Sequence, residues 1–231
     1  FKTSIFTNFS QDHLDYHKNM KKYLNAKLIL FSKLLGKEQN IITDSEIPEF
    51  LKLQKIAKKN NLNLLTIGKK NSTIQFKSIK AIGDFQIVIF EHNKKNYTLK
   101  VPLIGLFQIK NLFMSILAIN LSGLSIKKIL EPVKNVEEVN GRLQLIKTTS
   151  NQTKIFIDYA HTPAALETVL KTLKEHYGVR ADIIFGCGGE RDKKKRSKMA
   201  NISEINAGKI YITDDNPRNE NPKLIRKMIM S

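Results

Sequence analysis

The sequence predicts an α/β protein whose second part is a doubly wound sheet. Three stretches carry that expectation: residues 155–157, an apolar run that ends in Asp158 and passes at once into a helix; residues 181–185, a second apolar run that enters a glycine-rich turn; and residues 209–213, a third that ends in two carboxylates. Strands that open at their carboxyl ends into polar, glycine-rich or proline-rich connections, with a helix between the first two, describe layered α/β architecture. Ligands gather at that edge of such sheets.

Composition bounds the rest. A chain of 231 residues can hold one large domain or two ordinary ones, and 41% hydrophobic residues suffice for a core. Its single cysteine, Cys187, excludes a disulfide framework and suits a reducing, cytoplasmic setting. No apolar run reaches the roughly 20 residues a membrane span needs, and no signal-peptide pattern opens the chain, so no membrane is expected. The net charge of +18 raises nucleic acid as a partner and a basic binding module as a rival function. Against that, the 33 Lys and 6 Arg are scattered rather than gathered into one arm. Neither an RNA-recognition signature nor metal-finger spacing occurs, and nucleic acid is not expected.

In chain order, residues 3–9 read as a strand. From about residue 18 the sequence is helical, with Met20, Leu24, Leu28, Phe31 and Leu35 on one stripe. Lys27 falls near the middle of that stripe, where a lysine must snorkel to water or find a partner. Residues 40–43 (strand), 49–59 (helix introduced by Pro48) and 62–67 (strand) continue the α/β alternation. Residues 73–81, 85–91 and 97–101 alternate in polarity, and their polar joints suggest hairpins or a meander. Gly105 precedes a helix with Asn111 in its early turns, by itself an ordinary helix-start residue. A short helix over 125–135 leads to the Gly141-Arg142 turn, equally readable as a surface turn with an exposed arginine. The polar stretch 147–154 sets a domain boundary near 147. Beyond it, Thr162 is a good N-cap, Pro163 fits the first helical position, and Leu166, Val169, Leu170 and Leu173 give the helix an apolar face. Spacing alone leaves Asp158 and His161 either as caps of this turn or as groups poised for chemistry.

The words DYAHTP (158–163), FGCGGERD (185–192) and DDNPR (214–218), in that order and at those distances, resemble the C-terminal domain of the Mur ligases. DHLDYH (12–17) followed by Tyr23-x-x-Ala26-Lys27 resembles the central domain of the same family. So does 105–111, similar to Gly-x-Phe-Asn-x-x-Asn but with Gln108 at the first Asn.

The resemblance implies a central, ATP-binding portion over 1–147 and a Rossmann-like, amino-acid-binding portion over 148–231. It implies ATP-dependent amide ligation through an acyl phosphate in cytoplasmic peptidoglycan precursor synthesis, by a monomer. The implied substrates are UDP-N-acetylmuramoyl-L-alanyl-D-glutamate and meso-diaminopimelate; lysine-adding and folylpolyglutamate-forming relatives are the alternatives. It places His13 and a carbamylated Lys27 on Mg²⁺, and Asn111, Arg142, Asp158 and, less directly, His161 on ATP. Arg191, Asp215, Asn216 and Arg218 fall to the amino-acid substrate, the last being a guanidinium suited to a second carboxylate; its bland alternative is a surface pair with Glu220 or Asp214.

One family element is missing: no G-x-x-x-x-G-K-[ST] loop occurs, since Gly36-Lys37, Gly68-Lys69 and Gly208-Lys209 all lack the following hydroxyl residue. The chain also opens on Phe1 within a strand and closes just after a helix begins at Pro222, as a segment cut from a longer protein would. Alone, it is expected to be inactive.

Overall fold

A computed structural model describes residues 1–12 and 14–230. The chain divides into two compact units, Phe1–Phe9 with Asn19–Glu137, and Ser10–Lys18 with Glu138–Ser231. The short helix α1 (Leu14–His17) therefore belongs to the second unit.

In the first unit six strands follow one another in sequence order: β1 (Thr3–Phe6), β2 (Asn40–Asp44), β3 (Asn63–Gly68), β4 (Ile74–Ile82), β5 (Phe85–His92) and β6 (Lys95–Val101). Strands β1 to β4 pair in parallel, whereas β4, β5 and β6 form the expected antiparallel meander. The β5–β6 joint puts Asn93 and Lys94 both at positive φ, which a two-residue hairpin turn demands. Adjacent residues of a strand point to opposite faces, and Ile41 and Ile42, both fully buried, enter different clusters. Ile41 packs with Leu24 and Phe31 of the helical stretch α2 (Met20–Ile29) and Leu30–Leu34, and with Leu53 of α3 (Phe50–Asn60). Ile42 lies in the cluster of α4 (Leu106–Asn120) and α5 (Ile126–Val133). There Phe113 meets Phe76 and Phe90 edge-on at 5.0 and 4.7 Å, so its truncation to Ala would cost about 3–5 kcal/mol.

The expected continuous helix from residue 18 is interrupted. Lys18 has φ +66°, Asn19 then caps α2 by accepting the Lys22 N–H at 2.9 Å, and residues 30–34 widen into a π-helical turn. Leu24, Phe31 and Leu35 are buried, but Lys27 is exposed, its ammonium 5.2 Å from the Tyr23 ring centre. Lys27 thus does not lie in the middle of the buried stripe. At 3.6 residues per turn it sits roughly 60° from Leu24 on the side away from Leu28, and the π turn re-aims Phe31.

In the second unit β7 (Gln144–Thr148) pairs antiparallel with β8 (Lys154–Ile157), and β9 (Ile183–Phe185) pairs in parallel with β10 (Ile210–Ile212). The three runs that suggested one parallel sheet therefore part company: among the described residues β8 has its ladder with β7, not β9. A short connection closed by Thr149, whose N–H donates to the Thr153 carbonyl at 2.9 Å, makes that hairpin a local pairing that closes with little loop entropy. It also carries β7 into the second unit, which the chain re-enters at Glu138. Helix α6 (Pro163–Tyr177) begins as its residues dictate, with the Thr162 hydroxyl accepting the Ala165 N–H at 3.3 Å. Helices α7 (Lys194–Asn206) and α8 (Pro222–Met230) supply Met199, Ile225 and Ile229 to a core shared with Leu166, Leu170 and Phe185.

Candidate functional site

In the first unit the meander, which carries no evident chemistry in the sequence, braces the start of α4. The Gln86 amide donates to the carbonyls of Leu103 at 2.5 Å and Gly105 at 3.2 Å, just where α4 begins. One turn on, the Lys110 ammonium meets the buried Asp44 carboxylate at 2.5 Å, while the other oxygen of Asp44 accepts the Glu46 N–H. Asn111, the next residue, is thereby presented on the exposed side of a helix fixed at its root. Lys27 is exposed in the same unit, and His13 lies outside the described residues. Among the described residues no group of three or more His, Cys, Asp or Glu side chains gathers to hold a metal ion. An unmodified lysine offers no oxygen donor, so a role for Lys27 on Mg²⁺ requires a modification that supplies one.

In the second unit Arg142, Asp158 and His161 come together around one turn. Asp158 accepts the Leu143 N–H with one oxygen and the Ala160 N–H with the other, both at 2.8 Å, and so clasps the 141–143 turn to the end of β8. That is the capping role the spacing allowed, with a second lone pair still on each oxygen. The Arg142 guanidinium lies 5.0 Å over the Tyr159 ring, and that ring meets the His161 imidazole at 5.1 Å. Tyr159, passed over in the sequence, is the exposed aromatic that joins the two. His161 Nε2 is 3.6 Å from the Asp12 carboxylate, the Lys195 ammonium donates to the His161 carbonyl at 2.8 Å, and Lys198 reaches Gln11 at 3.5 Å. Gln11 and Asp12 thus strap their segment onto the turn that opens α6 and onto α7.

The second gathering is the glycine-rich turn after β9 against the turn after β10. A Cβ on Gly189 would stand 1.8 Å from the Pro217 carbonyl oxygen, so only glycine permits this approach. Gly189 N–H donates to the Asn216 carbonyl at 2.9 Å, and the Gly189 carbonyl accepts the Arg218 guanidinium at 2.7 Å. Arg218 has φ +49°, a conformation few side chains adopt, and its N–H is held by the Asn216 amide oxygen at 3.1 Å. Asp215 and Arg191 are exposed beside these turns, with the Asp215 carboxylate accepting the Asn216 N–H. Neither acid suggested as a surface partner pairs with Arg218: Asp214 pairs with Arg226, and Glu220 with Arg196.

Arg196 is the residue that the sequence conceals. It ends the basic run 193–196, yet it is only 1% exposed. Its two terminal nitrogens grip the Glu220 carboxylate at 3.0 Å each, and one also donates to the Gly188 carbonyl at 3.2 Å. Bonding to Arg196, and then to the Glu190 N–H, holds the Glu220 carboxyl down at about 2. The signal that could have found it is the spacing of Arg196, Met199 and Ser203 on the buried side of α7. Burial pushes the Cys187 thiol up, which keeps it protonated at neutral pH and unsuited to nucleophilic attack.

The Mur ligase middle domain matches residues 1–119, and the Mur ligase glutamate ligase domain matches residues 141–231. The chain belongs to the Mur ligase family. Among curated Mur ligases it is 41% identical over 231 residues to the UDP-N-acetylmuramoyl-L-alanyl-D-glutamate--2,6-diaminopimelate ligase of Rickettsia montanensis, covering 99% of this chain and 47% of that one. A solved structure of a ligase with the same name has TM-score 0.66 and 28% identity, covering 100% of this chain and 47% of that chain. MurF from Acinetobacter baumannii shares the fold, with TM-score 0.76 at 13% identity over 93% of this chain and 47% of that one. The chain spans about half the length of the curated relatives it matches.

Proposed function

We propose that this chain is the part of an ATP-dependent amide ligase that carries the nucleotide-facing helix α4 and the amino-acid-binding turns. The full-length protein adds meso-diaminopimelate to UDP-N-acetylmuramoyl-L-alanyl-D-glutamate in peptidoglycan precursor synthesis. The match to the Rickettsia montanensis ligase along the whole chain supports this reading. ATP transfers its terminal phosphoryl group to the D-glutamyl carboxylate. The neutral amine of diaminopimelate then attacks the acyl carbon; the C–N bond forms as the C–O bond to phosphate breaks, phosphate leaves and the nitrogen sheds a proton.

Most of the work left to side chains in such a reaction is positioning and neutralising charge. On this reading Arg142, with Tyr159 beneath it, and Asn111 at the head of α4 contact ATP. Asp158 and His161 shape the same turn. Mg²⁺ is the expected cofactor, held by His13 and a carbamylated Lys27; the carbamate is the change that supplies an anionic oxygen donor.

The choice of amino acid rests on one observation: Arg218 is anchored to a backbone carbonyl rather than to an acid. Its remaining guanidinium N–H groups suit the second carboxylate that distinguishes diaminopimelate from lysine, with Asn216, Asp215 and Arg191 around the substrate's other polar groups. In the full-length protein Arg218→Ala is expected to lower kcat/KM for diaminopimelate at least tenfold, about 1.4 kcal/mol, and to leave the weak use of lysine unchanged. Equal losses on both amino acids, or turnover with lysine or glutamate in preference, would refute the assignment.

A further inference from the structure

A guanidinium buried to 1% exposure, with its Nε lacking a partner among the described residues, is a poor device for stability. Desolvating a charge pair consumes most of what the pairing returns, and apolar replacements of equal volume often fold as well. What such a pair does supply is a fixed geometry. The Glu220 carboxylate receives two parallel bonds from Arg196 and a third from the Glu190 N–H at 2.6 Å. Arg196 reaches in turn to the Gly188 carbonyl, and Asn219 donates to the Glu190 carboxylate at 2.7 Å. The bonds to Glu220 and from Asn219 join the glycine-rich turn, or the helix that leaves it, to the turn bearing Arg218, while the bond to the Gly188 carbonyl ties that helix back to the glycine-rich turn; together they flank the Gly189 carbonyl that holds the Arg218 guanidinium. Lys193, at 3.5 Å from Glu220, is exposed and adds only a screened contact.

We propose that Arg196 is a positioning residue for the amino-acid substrate: through Glu220 and the Gly188 carbonyl it locks the glycine-rich turn against the turn of Arg218 and so sets where that guanidinium stands. This rests on the substrate reading above and adds to it a residue that touches no substrate. It acts by keeping the Gly189 carbonyl in place, and with it the reach of Arg218.

The test uses the full-length protein with Arg196→Lys, which keeps the charge and loses the fork, and the double variant Arg196→Met with Glu220→Met, which leaves no unpaired buried charge. Because an ammonium cannot reproduce two parallel bonds, Arg196→Lys should raise KM for diaminopimelate roughly tenfold while KM for ATP stays within about twofold. The double variant should fold, with a melting temperature near that of the wild type, and show the same rise. A second readout needs no substrate: amide exchange at Gly189 and Glu190 should accelerate in both variants relative to amides in α6. An unchanged KM for diaminopimelate in folded variants, or unchanged exchange at those two amides, overturns the proposal. If the wild type accepts another amino acid instead, the substrate reading fails by itself, and the same KM comparison with the accepted amino acid, together with the exchange, decides the role of Arg196.

Discussion

Gly189→Ala is the sharpest test of the seam between the two turns. The added Cβ would stand 1.8 Å from the Pro217 carbonyl oxygen and 2.6 Å from its carbon, both backbone atoms that cannot rotate away. To reach ordinary contact the turns must part by roughly 1.5 Å, and strain of this kind costs about 1–3 kcal/mol. The same parting breaks the Gly189 N–H bond to Asn216 and the Arg218 bond to the Gly189 carbonyl, 2.9 and 2.7 Å long. At about 1 kcal/mol each, the expected loss is about 3–5 kcal/mol. Urea denaturation with amide exchange read at α6 and α7 reports the second unit by itself. Gly36→Ala, in the first unit and read there by amide exchange at α3 and α4, is the control: its Cβ would meet only the Gln39 side chain at 3.8 Å, and the change should be neutral or stabilising by less than ~1 kcal/mol. If Gly189→Ala destabilises its unit no more than a surface substitution does, the close approach and the reasoning built on it are wrong.

Lys27→Ala, at an exposed position, should change stability by less than ~0.5 kcal/mol but abolish turnover of the full-length protein; short-chain carboxylic acids should restore part of it if the lysine works as a carbamate. Normal turnover in the variant would reduce Lys27 to a surface residue. The Glu220 carboxyl is lowered from its ordinary 4.5 to about 2, so what it adds to the fold is complete above about pH 4.5 and disappears as the pH falls toward 2. Glu220→Gln should therefore flatten the pH dependence of second-unit unfolding across that window, measured by denaturant titration at each pH; an unaltered slope would refute the coupling. Lys110→Met removes the partner of the buried Asp44 and should destabilise the first unit by about 1.5–3 kcal/mol in urea, with a rise in KM for ATP if α4 is loosened where Asn111 sits.

Elements with local signals were legible in the sequence. Thr162 and Pro163 mark the start of α6 because cap and first turn are neighbours in the chain, and the meander follows from alternation and polar joints. Pairing was not legible. That β8 pairs with β7 follows from the short connection between them, whereas the residue types of β8 by themselves suit either β7 or β9 as a partner. Lys27 lies three residues after Leu24 and four before Phe31, yet at 3.6 residues per turn it falls roughly 60° from Leu24 on the side away from Leu28, at the edge of the stripe rather than its middle. Arg196 was hidden for a different reason: in a chain with 39 Lys and Arg, a basic residue beside three lysines reads as solvated surface. Its burial is set by Glu220, 24 residues away. The site words located the turns, but not the ties that make Arg218 point from a backbone anchor.

The strap of residues 10–18 bears on how this protein can be taken apart. Asp12 and Gln11 dock on the second unit, yet they are encoded between β1 and α2 of the first. A gene cut anywhere between 120 and 140 would therefore yield a carboxyl-terminal piece without its own strap and an amino-terminal piece carrying an orphan one. Swapping the second unit between relatives means moving two segments, not one.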